Sequence, residues 1–156
     1  MNTQLKEILV YQCKEYAMAC DPLDQYFSNL KSPPQFFTTL KANERGYLGT
    51  WTIRKNALYL TAFIGMLDNN EEITLEQLFP GKQVVFAEWF DGDIVLNQGK
   101  LLRLKTENSP AFYEKDLHLE FSKGRLINTY VVENSLEQLS GFDEDFLSGR
   151  LGNSSL

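Results

Sequence analysis

Histidine occurs once and cysteine twice in this chain of 156 residues, and each scarcity excludes chemistry. One His with two Cys offers none of the paired spacings that hold a zinc ion. Cys13 and Cys20 could pair on paper, but a chain without a secretion signal sits in a reducing compartment where thiols stay free. The first residues, Met1 to Glu7, lack the basic start and apolar core of a signal peptide, so a cytoplasmic location is expected. No run approaches the roughly 20 apolar residues of a membrane span, and no membrane partner is expected. A G-x-S-x-G elbow for a serine nucleophile is missing. Gly81-Lys82 and Gly99-Lys100 stand without the glycine-rich run of a phosphate loop. The acid-rich stretch Asp68 to Glu72 lacks the glycine that an EF-hand needs at its sixth position. Neither a metal nor a cofactor is therefore expected. Basic residues are also the minority, 15 against 21 acidic ones, for a net charge of −6. Displacing counterions from phosphates takes Lys and Arg, so nucleic-acid binding is disfavoured. An acidic surface serves solubility or a basic partner protein.

What is present points to strands. A length of 156 residues suits one domain with a real core, and the 13% aromatic content leans towards β structure. The organising stretch is Arg45 to Gly65, RGYLGTWTIRKNALYLTAFIG. Tyr47, Gly49, Trp51 and Ile53 share one side of an alternating run, Arg54-Lys55-Asn56 breaks it, and Ala57 to Ile64 runs back. Residues 7 to 20 read as a helix or a hairpin. Helical spacing collects Ile8, Tyr11, Glu15 and Met18, a poor face, so alternation with a turn near Gln12 to Lys14 is favoured. Asp21-Pro22 breaks that pattern, and Leu23 to Leu30 fits a short helix beginning at the Asp cap. Pro33-Pro34 followed by Phe36-Phe37 reads as a loop that tucks its aromatics under the sheet. Thr74 and Gln77 have the spacing of a capping box.

Gln83 to Phe90, Asp93 to Asn97 and Lys100 to Lys105 read as three strands of a meander, turning at Asp91-Gly92 and Gln98-Gly99. Leu117, Leu119 and Phe121 alternate with Asp116, His118 and Glu120, and Lys123-Gly124 turns that strand into Arg125 to Val132. The expectation is a mainly β protein with a minor α component. It is a strongly bent antiparallel meander or half-closed barrel with two or three short helices. Residues 1–156 form a single domain in this reading, with 141–156 as a flexible acidic tail.

Candidate chemistry is sparse. His118 between Asp116 and Glu120 has the neighbours of a general base and equally those of a solvated strand face. Cys20 beside Asp21 fits a buried, inert thiol better than a nucleophile. Tyr47, Trp51, Tyr59 and Trp89, with His118 at the rim, would line a pocket or fill a core. Gly49-Thr50-Trp51 resembles the G-x-W signature of lipocalins, which implies a barrel that binds apolar ligands. In that family the motif opens the first strand, whereas here 48 residues precede it.

A wider set is Arg45-Gly46-Tyr47, Gly49-Thr50-Trp51, Leu58-Tyr59-Leu60, Leu78-Phe79-Pro80, Val85 to Phe90, Tyr113-Glu114 and Leu117-His118-Leu119. It resembles a group of small uncharacterised bacterial β-rich proteins. That resemblance implies a bacterial cytosolic origin and transfers no catalytic residue. Small acidic proteins of that kind are frequently immunity proteins or antitoxins. The expected function is thus a non-enzymatic binding protein that neutralises a basic partner protein by surface contact. Its contact residues would be Asp68, Glu71 and Glu72 with Asp143, Glu144 and Asp145. Residues 133–156 alone carry a net −4 of the total −6, a field that would steer a cationic partner. The alternative is a small apolar-ligand-binding β-barrel, or an enzyme using His118.

Overall fold

Alternating residues and left-handed turns set the local structure. The computed structural model of the protein describes residues 6–37, 45–67 and 71–135. In chain order it has β1 (Glu7–Tyr11), β2 (Lys14–Met18), α1 (Pro22–Ser28), β3 (Tyr47–Arg54) and β4 (Ala57–Met66). Then follow β5 (Glu72–Thr74), α2 (Leu75–Leu78), β6 (Val85–Phe86), β7 (Gly92–Arg103), β8 (Phe112–Ser122) and β9 (Arg125–Glu133). The protein is mainly β, with two short helices among the described residues. The strands join in one sheet, ordered β2-β1-β3-β4-β9-β8-β7, with β5 and β6 attached to β4. β1 and β3 run parallel, while the pairs β1–β2 and β3–β4 are antiparallel.

The stretch 7–18 is a hairpin, as alternation predicts: Glu7 pairs with Met18 and Leu9 with Tyr16. Its turn holds Gln12 and Cys13 at φ of 51° and 66°. The β3–β4 turn does the same with Lys55 and Asn56, and the β8–β9 turn with Lys123 and Gly124. Two successive residues at positive φ match the right-handed twist of the flanking strands, and glycine suits the second position best. Asn56→Gly is therefore expected to stabilise the fold by about 0.5 kcal/mol, read as a higher urea midpoint at unchanged slope. A lower midpoint would contradict this turn geometry.

In β3–β4 the register slips between Thr50 and Trp51: Thr50 faces Ala62, whereas Trp51 faces Leu60. Thr61 is the extra residue, and its hydroxyl donates to the Thr50 carbonyl at 3.1 Å. Such a bulge bends the strand and shifts its phase. Leu58 and Leu60 are thus buried before it, and Phe63 and Gly65 after it.

Two sequence expectations are corrected. Gln98-Gly99 is not a turn, because β7 runs unbroken from Gly92 to Arg103. Gly99 keeps a left-handed φ of 80° inside the strand, and Glu114 Oε1 accepts the Lys100 N–H at 2.8 Å. A Cβ on Gly99 would lie 2.7 Å from that carboxylate oxygen, so the glycine serves a close approach. The strand expected over Gln83 to Phe90 shrinks to Val85–Phe86. Beyond it the backbone turns, the Phe90 N–H donating to the Ala87 carbonyl at 3.0 Å. Tertiary bonds hold that turn: the Ala87 N–H donates to Leu58 O, and the Gly124 N–H donates to Phe90 O. Of the loop Pro33 to Phe37, Phe36 packs against Phe27, Tyr47 and Phe63, while Phe37 stays exposed.

The chain divides into two compact units. One comprises the chain up to Leu96 with His118–Thr129, and it holds the core of Leu9, Trp51, Leu58, Leu60, Phe90, Ile94 and Leu119. The other comprises Asn97–Leu117 and the chain from Tyr130 on. In it the Asn134 amide donates to the Tyr113 carbonyl and to Asp116 Oδ2.

Candidate functional site

A glutamate opens β1 in phase with Leu9, which places it on the dry side of the strand. Glu7 is the buried charged residue of the described core, with 1% of its surface accessible. Parallel pairing of Ile8 with Thr50 brings it beside Gly49, where both carboxylate oxygens find donors. The Trp51 indole N–H donates to Oε1 at 2.7 Å, and the Gly49 N–H donates to Oε2 at 2.8 Å. Gly49 makes this possible by its missing side chain: a Cβ there would sit 3.0 Å from Glu7 Oε1 and 3.2 Å from the indole nitrogen. Arg45, just ahead of β3, places Nη1 3.8 Å from Glu7 Oε2 and 3.5 Å from Asp21 Oδ2. The Tyr47 hydroxyl donates to that same Asp21 oxygen at 2.6 Å, and the Arg45 guanidinium lies over the Tyr47 ring. Asp21 is the N-cap residue of α1, yet its side chain leaves the helix uncapped and turns to this cluster. Its second oxygen, Oδ1, is buried without a well-formed hydrogen bond, although the Leu23 amide of α1 still exerts a lowering pull on the carboxyl.

Burial, joined by the negative charge of Asp21, pushes Glu7 up from the ordinary 4.5 to about 7, against the lowering pull of its indole, amide and guanidinium neighbours. Asp21 is raised as well, chiefly by burial. The Tyr47 hydroxyl is raised by burial and by its bond to Asp21, so it donates at every physiological pH. Cys20 is pushed up to about 11, mainly by burial, which keeps it a thiol. A carboxyl titrating near neutrality has the proton affinity of a general acid or base. Glu7 has a side chain with 0% exposure, however, so no substrate atom reaches it. What the arrangement can do is bind and release a proton.

The residues chosen from the sequence lie elsewhere or in other roles. Asp68, Asp143, Glu144 and Asp145 fall outside the described residues. Glu71 and Glu72 are exposed, with Glu72 paired to Met66 across β4–β5. Next to them an open groove of about 350 Å³ is lined by residues that include Thr61, Ala62, Thr74, Glu76 and Lys82. Tyr47 and Trp51 are buried, Tyr47 against Phe27, Phe36 and Phe63 and Trp51 edge-on to Trp89. Trp89 is half-buried, stacks on Phe79 and donates its indole N–H to Pro22 O at 2.8 Å. Tyr59 faces the ring of Phe86. His118 is half-buried on β8, and the Glu120 carboxylate accepts from the Asn128 amide. Sequence reasoning missed Glu7, Asp21 and Arg45. The available signal was phase, an acid two residues from Leu9 in an otherwise apolar strand.

No group of three or more His, Cys, Asp or Glu side chains among the described residues could hold a metal ion. No helix among the described residues is long and apolar enough to cross a membrane. No family model, curated protein or solved structure matches the chain.

Proposed function

We propose that this is a non-enzymatic binding protein of the bacterial cytoplasm, of the immunity or antitoxin type, which neutralises a basic partner protein by surface contact. The observation that carries this reading is the surface around Ile64. That side chain is 45% exposed in β4 and pairs with Thr74 of β5, the strand that carries the exposed Glu72 two residues earlier, while the exposed Glu76 follows in α2. An apolar centre with a charged rim is the usual anatomy of a contact surface. The net charge of −6 supplies a field that would speed the approach of a cationic partner.

The test is capture of a basic protein from the native host by the full chain at low salt, followed by an inhibition assay on the captured protein. Binding should weaken as salt rises. The double variant Glu71→Lys and Glu72→Lys is expected to slow association about tenfold while changing dissociation little. Ile64→Asp should accelerate dissociation. An unchanged association rate in the charge-reversed variant, or capture with no inhibition, would defeat the reading.

A further inference from the structure

The cluster around Glu7 is separate from the residues that carry the proposed surface contact, and its connections suggest a different use. Glu7 bonds β1 to β3 through Gly49 and Trp51, and Asp21 bonds the start of α1 to β3 through Tyr47. Two carboxylates share the single guanidinium of Arg45. With both ionised, Glu7, Asp21 and Arg45 sum to one negative charge where the Glu7 side chain is fully buried and that of Asp21 is only 17% exposed, and Asp21 Oδ1 has no hydrogen-bond partner among the described residues. Such a charge is costly, and one bound proton removes it. The element that Glu7 anchors is slight. β1 meets β3 in three residue pairs, from Ile8 to Val10, and β2 is the terminal strand of the sheet among the described residues.

We propose that Glu7, Asp21, Arg45 and Tyr47 form a proton-operated latch: one bound proton holds the β1–β2 hairpin and the start of α1 against β3, and its loss loosens both. The groups facing Glu7 come from each neighbouring element. β3 supplies the Trp51 indole, the Gly49 amide and, through Asp21, the Tyr47 hydroxyl. Arg45 approaches from the residues before β3, and Met18 of β2 pairs across from Glu7 without charge. From the α1 side come Asp21, with Cys20 before it and Asp24 in the first turn. The donors from β3 and Arg45 favour the ionised form, while burial and Asp21 oppose it and prevail. Because two coupled carboxyls share the site, the proton belongs to the pair.

The two tryptophans are built-in reporters. The Trp51 indole N–H touches Glu7 itself, and the Trp89 indole N–H touches Pro22 O at the first residue of α1. Nitrogen–proton correlation spectra of the full chain between pH 5 and 8.5 should show both indole signals moving with a shared midpoint near 7. Amide exchange in β1 and β2, corrected for its intrinsic pH dependence, should be about tenfold faster or more at pH 8 than at pH 6. Glu7→Gln should abolish both responses. Should that variant fail to fold, Asp21→Asn remains informative, because removing the neighbouring charge should move the Trp51 midpoint to lower pH. A Trp51 signal that does not titrate in this range would overturn the proposal. So would a Trp51 response with Trp89 and the hairpin amides unmoved, or a midpoint indifferent to Asp21→Asn.

Discussion

Replacing Gly124 with alanine is expected to destabilise the protein by about 3 kcal/mol, combining left-handed backbone strain with overpacking of a closed site. The residue has φ of +80°, and a Cβ built on it would lie 2.3 Å from the Ala87 carbonyl oxygen and 2.8 Å from its carbon. Backbone atoms cannot swing away as a side chain would, so the strands themselves must part. They part at a crowded point. Gly124 O accepts the Leu58 N–H at 2.9 Å, and the Gly124 N–H donates to Phe90 O at 2.8 Å. One residue thereby ties the β8–β9 turn both to β4 and to the turn after β6. Lys123→Gly, one position earlier, is the control. Lys123 is exposed at φ of 50°, so glycine there relieves strain and should leave stability equal or slightly higher. Urea denaturation of both variants decides the matter, and a Gly124→Ala protein as stable as the parent would refute this account of the turn.

Acidification from pH 8 to pH 5 should add roughly 2 to 3 kcal/mol of stability through Glu7. The sign follows from burial. Glu7 is held at about 7 in the folded protein against 4.5 for the free group, so between those values the folded state binds the extra proton. Its contribution is complete below about 4.5 and is lost as pH rises through 7. Asp21 is raised too and acts in the same direction. Folding free energies from urea titrations at pH 5 and pH 8 measure the sum. Glu7→Gln should remove the Glu7 share and flatten the profile, since the neutral amide carries no charge to desolvate. A parent protein that loses stability on going from pH 8 to pH 5, or a Glu7→Gln profile parallel to it, would show that the indole, amide and guanidinium donors outweigh burial.

The two effects differ in how visible their sources are in the chain. Lys123-Gly124 stands between two alternating runs and can be read as a turn without any partner. That the glycine is also irreplaceable depends on the Ala87 carbonyl, 37 residues away in sequence. Thr74 and Gln77 likewise announce a helix start, and the Thr74 N–H does donate to the Gln77 side chain at 2.8 Å. The Gln98-Gly99 pair offers the same local cue as Lys123-Gly124, yet it lies within a continuous strand because Glu114 reaches across to Lys100.

Sequence by itself determined the β class, the hairpins at 7–18 and 47–66, and the pairing of turn residues with strand ends. These depend on a two-residue period and on φ preferences, which act over a few neighbouring positions. Tertiary structure decided that Glu7 is buried, that Asp21 abandons its helix for Tyr47 and Arg45, and that Trp51 closes on a carboxylate. Those contacts span 24 to 44 residues, and the one between Glu7 and Trp51 follows from β1 lying parallel to β3, a pairing that no local pattern specifies. Burial then changes the chemistry of the residue it encloses, and so the proton affinity of Glu7 is a property of the fold.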